Sequence, residues 1–204
     1  MCVAFLGEDP SDEAVLRLFT EALLGAAVRP HEIQLAARGY ASLRRNLAVV
    51  IKMLHYRSPA HSLVVLVDSD ETFLAPDSDR NRLRELRDII TTTTTHLTDV
   101  PAKRRIRVAL GVAAPCLEAW LLCPTDESIS ETTWEAGLRR PPPRYLKDTL
   151  KDRLYGPRPH VAPVKRQALM MAAKVAAQRI DLLEARFPIG FGNLAADIRA
   201  WTDR

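Results

Sequence analysis

No apolar run in this sequence approaches the roughly 20 residues that a membrane-crossing helix needs. Its N-terminus also lacks a basic segment followed by a long apolar stretch, so neither a membrane span nor a signal peptide is expected. Cysteine is scarce. Cys2, Cys116 and Cys123 are odd in number and scattered, with no CxxC spacing and no cysteine–histidine cluster. That argues against a disulfide-stapled scaffold and a zinc site, and points to a reduced, cytoplasmic protein. The order serine–histidine–acid of a nucleophilic hydrolase is missing. Tyr40 and Tyr56 stand in no context that marks a topoisomerase tyrosine. No internal repeat is present.

Charge of one sign is not in large excess. The net charge of +4 permits a nucleic-acid partner without demanding one. Its distribution is more informative. Arginine and lysine gather at 38–45, 103–107, 139–153 and 158–166, and acids at 8–13 and 68–79. Acidic spots among basic patches suit a metal-dependent enzyme acting on a polyanion, although each cluster taken alone reads as a solvated helix face.

The chain is long enough for one core with an appendage. "CVAFL" at 2–6 reads as a buried strand. A helix follows, with Asp9 or Ser11 as its cap and Pro10 in its first turn. "HEIQLA" at 31–36 reads as a second strand, and "ASLRRNLAVVIKML" as an amphipathic helix. "SLVVLV" is the strongest strand, "RNRLRELRDII" a helix and "RIRVALGV" a fourth strand. The five threonines at 91–95 read as a fraying helix end or a surface loop. The alternation implies an α/β fold: four parallel strands in a Rossmann-like sheet, right-handed crossovers and helices on both faces. A polar segment with a triple proline at 141–143 breaks the pattern. The expected division is an α/β core at 1–123 and a helical C-terminal extension at 124–204 packed on it.

Ligands of open parallel sheets bind at the carboxyl ends of the strands. Glu8 follows the first strand, Asp68 and Asp70 the third, and Glu118 the fourth. Alternation along "DSD" aims Asp68 and Asp70 the same way. Glu118 sits in the apolar "APCLEAWLLC", where an ionised side chain needs a cation or a salt bridge to an arginine. Asp12 suits either a metal or the helix N-terminus. Arg38, Arg44, Arg45 and Lys165 are candidates to hold phosphate.

Two resemblances attach to these residues. "VVLVDSDET" matches the D-x-D-x-T opening of haloacid-dehalogenase-like phosphatases, which would make Asp68 a nucleophile and Asp70 a general acid. In that family the motif opens the core, whereas here two strands precede it. The later strand ends in "GVAAP", without the acids that bind magnesium there.

The second resemblance covers most of the chain. "FLGEDPSDEAVLRLF" and "LVDSDE" resemble the glutamate and D-x-D motifs of TOPRIM domains, the topoisomerase-primase fold. "LGVAAPCLEAWLLC" and "IGFGNLAADIRAW" are similar to segments of uncharacterised TOPRIM-like bacterial proteins, which are related to overcoming-lysogenisation-defect-type nucleases. Asp9 replaces the usual glycine after the first glutamate. The resemblance implies Glu8, Asp68 and Asp70 as catalytic acids. It implies Glu8, Asp12, Asp68, Asp70 and Glu118 as ligands of Mg²⁺ or Mn²⁺. The expected activity is hydrolysis of nucleic-acid phosphodiesters, with a tie to phage defence. DNA, RNA and nucleotide substrates all remain open, as do a partner protein and a homo-oligomer. A TOPRIM-like module that binds nucleic acid or protein without catalysis is the other class.

Overall fold

Four parallel strands run in the order β2-β1-β3-β4 in a computed structural model of the chain. The structure describes residues 1–33, 39–74, 81–100, 105–156 and 162–202, with the side chains of 162–165 left aside. The strands are β1 (Cys2–Leu6), β2 (Arg29–His31), β3 (Ser62–Asp68) and β4 (Arg107–Ala113). β1 and β3 are buried along nearly their whole length, as expected of parallel strands covered on both faces. Their register pairs Phe5 with Val64 and Leu6 with Val65, while Asp68 pairs with Ala113 across β3 and β4.

Helix α1 (Pro10–Leu24) carries the chain from β1 to β2. Helices α2 (Tyr40–Arg57) and α3 (Arg82–Thr95) carry it in the opposite direction along the sheet, to β3 and then β4. With right-handed crossovers, α1 covers one face, and α2 and α3 pack together on the other. The strand order therefore reverses between β1 and β3. A crevice opens at such a switch point, outside the carboxyl ends of the two strands. The chain is thus an α/β protein with a Rossmann-like, all-parallel sheet. No helix among the described residues is long and apolar enough to cross a membrane.

After β4 come α4 (Leu117–Leu122), a 3-10 turn at Cys123–Thr125, α5 (Glu131–Arg139), α6 (Lys147–Tyr155), α7 (Ala162–Ala177), α8 (Ile180–Arg186) and α9 (Gly190–Arg199). α9 lies along β4 on the face that α1 covers, and α7 packs against α1 and α4. One aromatic cluster joins these layers. The Trp120 and Phe191 rings meet edge to face at 5.1 Å, and Phe19 and Phe191 at 5.4 Å. Such pairs add about 0.5–1.5 kcal/mol each beyond the area they bury. The "EAWLL" and "GFG" segments thus meet through Trp120 and Phe191, which fixes α4 and α9 on the sheet.

One expectation changes in detail, and one pair of alternatives is settled. The second strand is Arg29–His31, two residues earlier and shorter than 31–36, and residues 34–38 lie outside the described set. The threonine tract at 91–95 is the last turn and a half of α3. Thr94 and Thr95 hydroxyls donate to the Ile90 and Thr91 carbonyls at 2.8 Å, so poor helix formers satisfy themselves on the helix they end.

Candidate active site

The site begins with a glycine. A Cβ at Gly7 would lie 2.5 Å from the Asp12 Cβ, so only glycine lets α1 start so close to the end of β1. Asp9 caps α1 by accepting the Ser11 N–H at 2.8 Å, and Asp12 returns the bond by accepting the Asp9 N–H at 2.9 Å. This is a reciprocal capping box, with Pro10 in the first turn. It holds Asp12 beneath the β1 terminus. Burial raises the Asp12 carboxyl to about 7, against the backbone bond from Asp9 and helped by the charges of Asp68, Asp9 and Glu118.

Glu8 reaches across the crevice. Its Oε1 accepts the backbone N–H of Asp68 at 3.0 Å and so ties the end of β1 to the end of β3. Asp68 closes β3, with Oδ1 accepting the Leu117 N–H at 3.1 Å and Oδ2 paired with Lys147 Nζ at 2.7 Å. Burial pushes Asp68 up to about 6. Lys147 opposes the shift, and the Glu118 and Glu8 charges reinforce it.

Asp70 does not follow strand alternation. β3 ends at Asp68, and Asp70 has φ 49, in the left-handed region that aspartate tolerates better than most residues. The turn is clamped to the end of β4, with the Ser69 N–H donating to Ala113 O at 2.7 Å and the Asp70 N–H to Pro115 O at 3.0 Å. Asp70 Oδ1 lies 2.6 Å from Lys147 Nζ and Oδ2 2.7 Å from Arg82 Nη2. The two aspartates share Lys147 because of this turn and not because of pleat geometry. Burial works against the Asp70 charge, but the bonds to Lys147 and Arg82 prevail and hold its pKa below the usual carboxylate value.

Arg82, at the start of α3, completes the arrangement. It donates to the Asp68 carbonyl at 2.6 Å, lies 3.9 Å from Glu8 Oε1 and stacks 4.1 Å from the Tyr40 ring centroid. The Tyr40 hydroxyl in turn bonds Glu85, which also pairs with Arg44. Glu118 is buried in the first turn of α4 and accepts the Tyr155 hydroxyl at 3.1 Å. Sequence reasoning offered a cation or an arginine as its partner, and the structure gives it this tyrosine on α6. Glu118 also bonds the Cys116 thiol, whose pKa burial and the nearby acids raise.

Glu8, Asp12, Asp68 and Glu118 line one cavity of about 610 Å³. Lys147 and Lys151 of α6 and Arg166 of α7 line it as well, so acids from the sheet edge face bases from the C-terminal helices. Lys147, Arg82 and Tyr155 were not singled out by sequence reasoning. Arg44 is bound to Glu85, and Arg45 is exposed on α2. Arg38 lies outside the described residues, and Lys165 belongs to α7 with its side chain left aside.

The donor set is all hard oxygen, the kind that suits Mg²⁺ or Mn²⁺. Burial raises the pKa values of Asp12 and Asp68, and a divalent cation beside them would favour their charged forms. As arranged, no three acid, cysteine or histidine groups among the described residues stand close enough to hold a metal ion. Lys147 keeps Asp68 and Asp70 on itself. No family model matches the chain, and neither a curated protein nor a solved structure matches it.

Proposed function

We propose that the protein is a divalent-metal-dependent nuclease that hydrolyses nucleic-acid phosphodiesters. The observation that carries this reading is one cavity at the switch point of a parallel sheet, lined by the acids Glu8, Asp9, Asp12, Asp68 and Glu118 and by the bases Lys147, Lys151 and Arg166. The resemblance of "FLGEDPSDEAVLRLF" and "LVDSDE" to TOPRIM motifs supports it. The link to phage defence rests on that resemblance alone.

Glu8 and Asp68 are the residues to hold a Mg²⁺ or Mn²⁺ ion, with Asp12 and Glu118 beside them. Held there, such an ion would supply Lewis acidity, polarising a phosphodiester and lowering the pKa of an attacking water. The chain's own groups prepare the site. The Leu117 N–H orients Asp68, and the Tyr155 hydroxyl orients Glu118. Asp70 steers Lys147 and Arg82 rather than reaching into the cavity itself. Lys151 and Arg166 offer positive charge to the non-bridging phosphoryl oxygens.

The test is an activity screen of purified protein with Mg²⁺ or Mn²⁺ against DNA, tRNA and phosphate monoesters. Metal-dependent cleavage of DNA or RNA that is lost in Asp68→Asn supports the reading. One contact also suits a haloacid-dehalogenase-like phosphatase, because a lysine beside Asp68 can neutralise a phosphoryl group carried on it. Beryllium fluoride separates the two, since only an aspartyl nucleophile forms the covalent phosphoaspartate mimic. A non-catalytic module is favoured if Mn²⁺ binds neither the wild type nor Asp68→Ala in calorimetry.

A further inference from the structure

Arg82 and Lys147 both pair with the Asp70 carboxylate, and Lys147 pairs with that of Asp68 as well. Arg82 is anchored by a main-chain carbonyl, a carboxylate and an aromatic face. The Lys147 ammonium is held by carboxylate oxygens, 2.7 Å from Asp68 Oδ2 and 2.6 Å from Asp70 Oδ1. It ends a flexible stem on the first residue of α6, and nearly a third of its side chain is exposed. The same lysine lines the cavity together with Lys151 and Arg166. It is therefore the cation that can leave.

Resting on the metal-dependent reading above, we propose that Lys147 is an exchangeable counter-ion and a second-stage phosphate ligand. In the metal-free protein it satisfies Asp68 and Asp70. When Asp68 turns to a divalent cation, two positive charges cannot share that oxygen at contact distance, and the ammonium is released. It then turns to an anionic phosphoryl oxygen in the cavity, beside Lys151 and Arg166. The cavity of about 610 Å³ has room for a phosphate with its flanking nucleotide, and a single-stranded oligonucleotide is the probe that fits it. Metal and phosphate then strengthen each other's binding, and the coupling passes through one side chain.

Calorimetry on the full chain tests this with Mn²⁺ alone, with a phosphorothioate-linked oligothymidylate alone, and with both. Lys147→Met should bind Mn²⁺ about tenfold more tightly than the wild type, a change within the usual range of site–site coupling. Mn²⁺ should strengthen oligomer binding by about fivefold or more in the wild type, with this gain lost in Lys147→Met. Lys151→Met should keep the wild-type Mn²⁺ affinity within about twofold and weaken the oligomer, since screened charge at a distance has little effect. Should Lys147→Met fold poorly, the rate of reductive methylation at Lys147 in the wild type serves instead. Mg²⁺ should raise that rate. Equal or weaker Mn²⁺ binding in Lys147→Met, or a methylation rate indifferent to Mg²⁺, overturns the exchange and leaves the metal reading standing. Failure of both proteins to bind Mn²⁺ removes the metal reading and the exchange with it.

Discussion

The Glu8 carboxylate accepts the main-chain N–H of Asp68 at 3.0 Å and thereby joins the ends of β1 and β3. One side chain is at once a strut across the switch point and a charge in the cavity. The two roles separate by substitution. Glu8→Gln keeps an acceptor for the N–H and should leave the melting temperature within a few degrees of the wild type while Mn²⁺ binding is lost. Glu8→Ala removes both and should cost about 1.5–3 kcal/mol in urea unfolding, the usual worth of a hydrogen bond to a charged group.

Proton linkage at Asp12 and Asp68 has a definite sign. Their folded pKa values, about 7 and about 6, lie above the unfolded value of 3.8. The metal-free fold therefore holds these protons more tightly than the unfolded chain. Their contribution to stability is fully present below about pH 4 and is lost as pH rises through 6 to 7. A metal competes with the same protons, so Mn²⁺ affinity should climb from pH 5 to 8 with proton release. Titrations in buffers of different ionisation enthalpy measure that release. Mn²⁺ binding without net proton uptake or loss across this range would contradict the raised values.

Glu118 divides structure from chemistry in another way. Its bond to Tyr155 links α4 to α6. Tyr155→Phe should cost about 1–3 kcal/mol in stability, since the buried carboxylate loses a donor, and should weaken Mn²⁺ binding less than Glu118→Gln does. Glu118→Gln should preserve the melting temperature and weaken Mn²⁺ binding or turnover. A Glu118→Gln protein that is strongly destabilised yet binds Mn²⁺ normally would remove Glu118 from the site.

Away from the cavity, Glu131 is buried and accepts the Ile189 N–H at 2.8 Å and the Gly190 N–H at 2.6 Å, at the start of α9. Two main-chain donors would be left without that partner in Glu131→Ala, at a cost of about 2–4 kcal/mol by denaturant unfolding. Gly190→Ala should be at least as damaging, because an added Cβ would run into the Val112 carbonyl of β4. Neither change touches the acids that line the cavity. Variants that still fold should keep their Mn²⁺ affinity.

The α/β order was readable because buried parallel strands are short apolar runs and their helices show a 3.6-residue period. The acids were readable for a related reason. A carboxylate directly after such a run, as with Glu8 or Asp68, has little to do with packing. Asp70 was placed by spacing, but its orientation comes from a left-handed turn that spacing does not encode. Lys147 left no local trace. In "RYLKDTLKD" it reads as one more solvated lysine, and only the return of α6 brings it to Asp70, 77 residues away along the chain. Arg82 was hidden in the same way among the other arginines of α3. β2 came out displaced because three residues are too few for a pattern.

The acid wall of the cavity is supplied by residues up to Glu118 and its basic wall by residues from Lys147 onward. The two halves of the chain can therefore drift at different rates. Substitutions on α6 and α7 can change the basic wall while the sheet edge stays as it is. Loss of the carboxylates would leave the basic wall of the cavity facing an uncharged sheet edge. The layout lets one scaffold remake one wall of its cavity without disturbing the other.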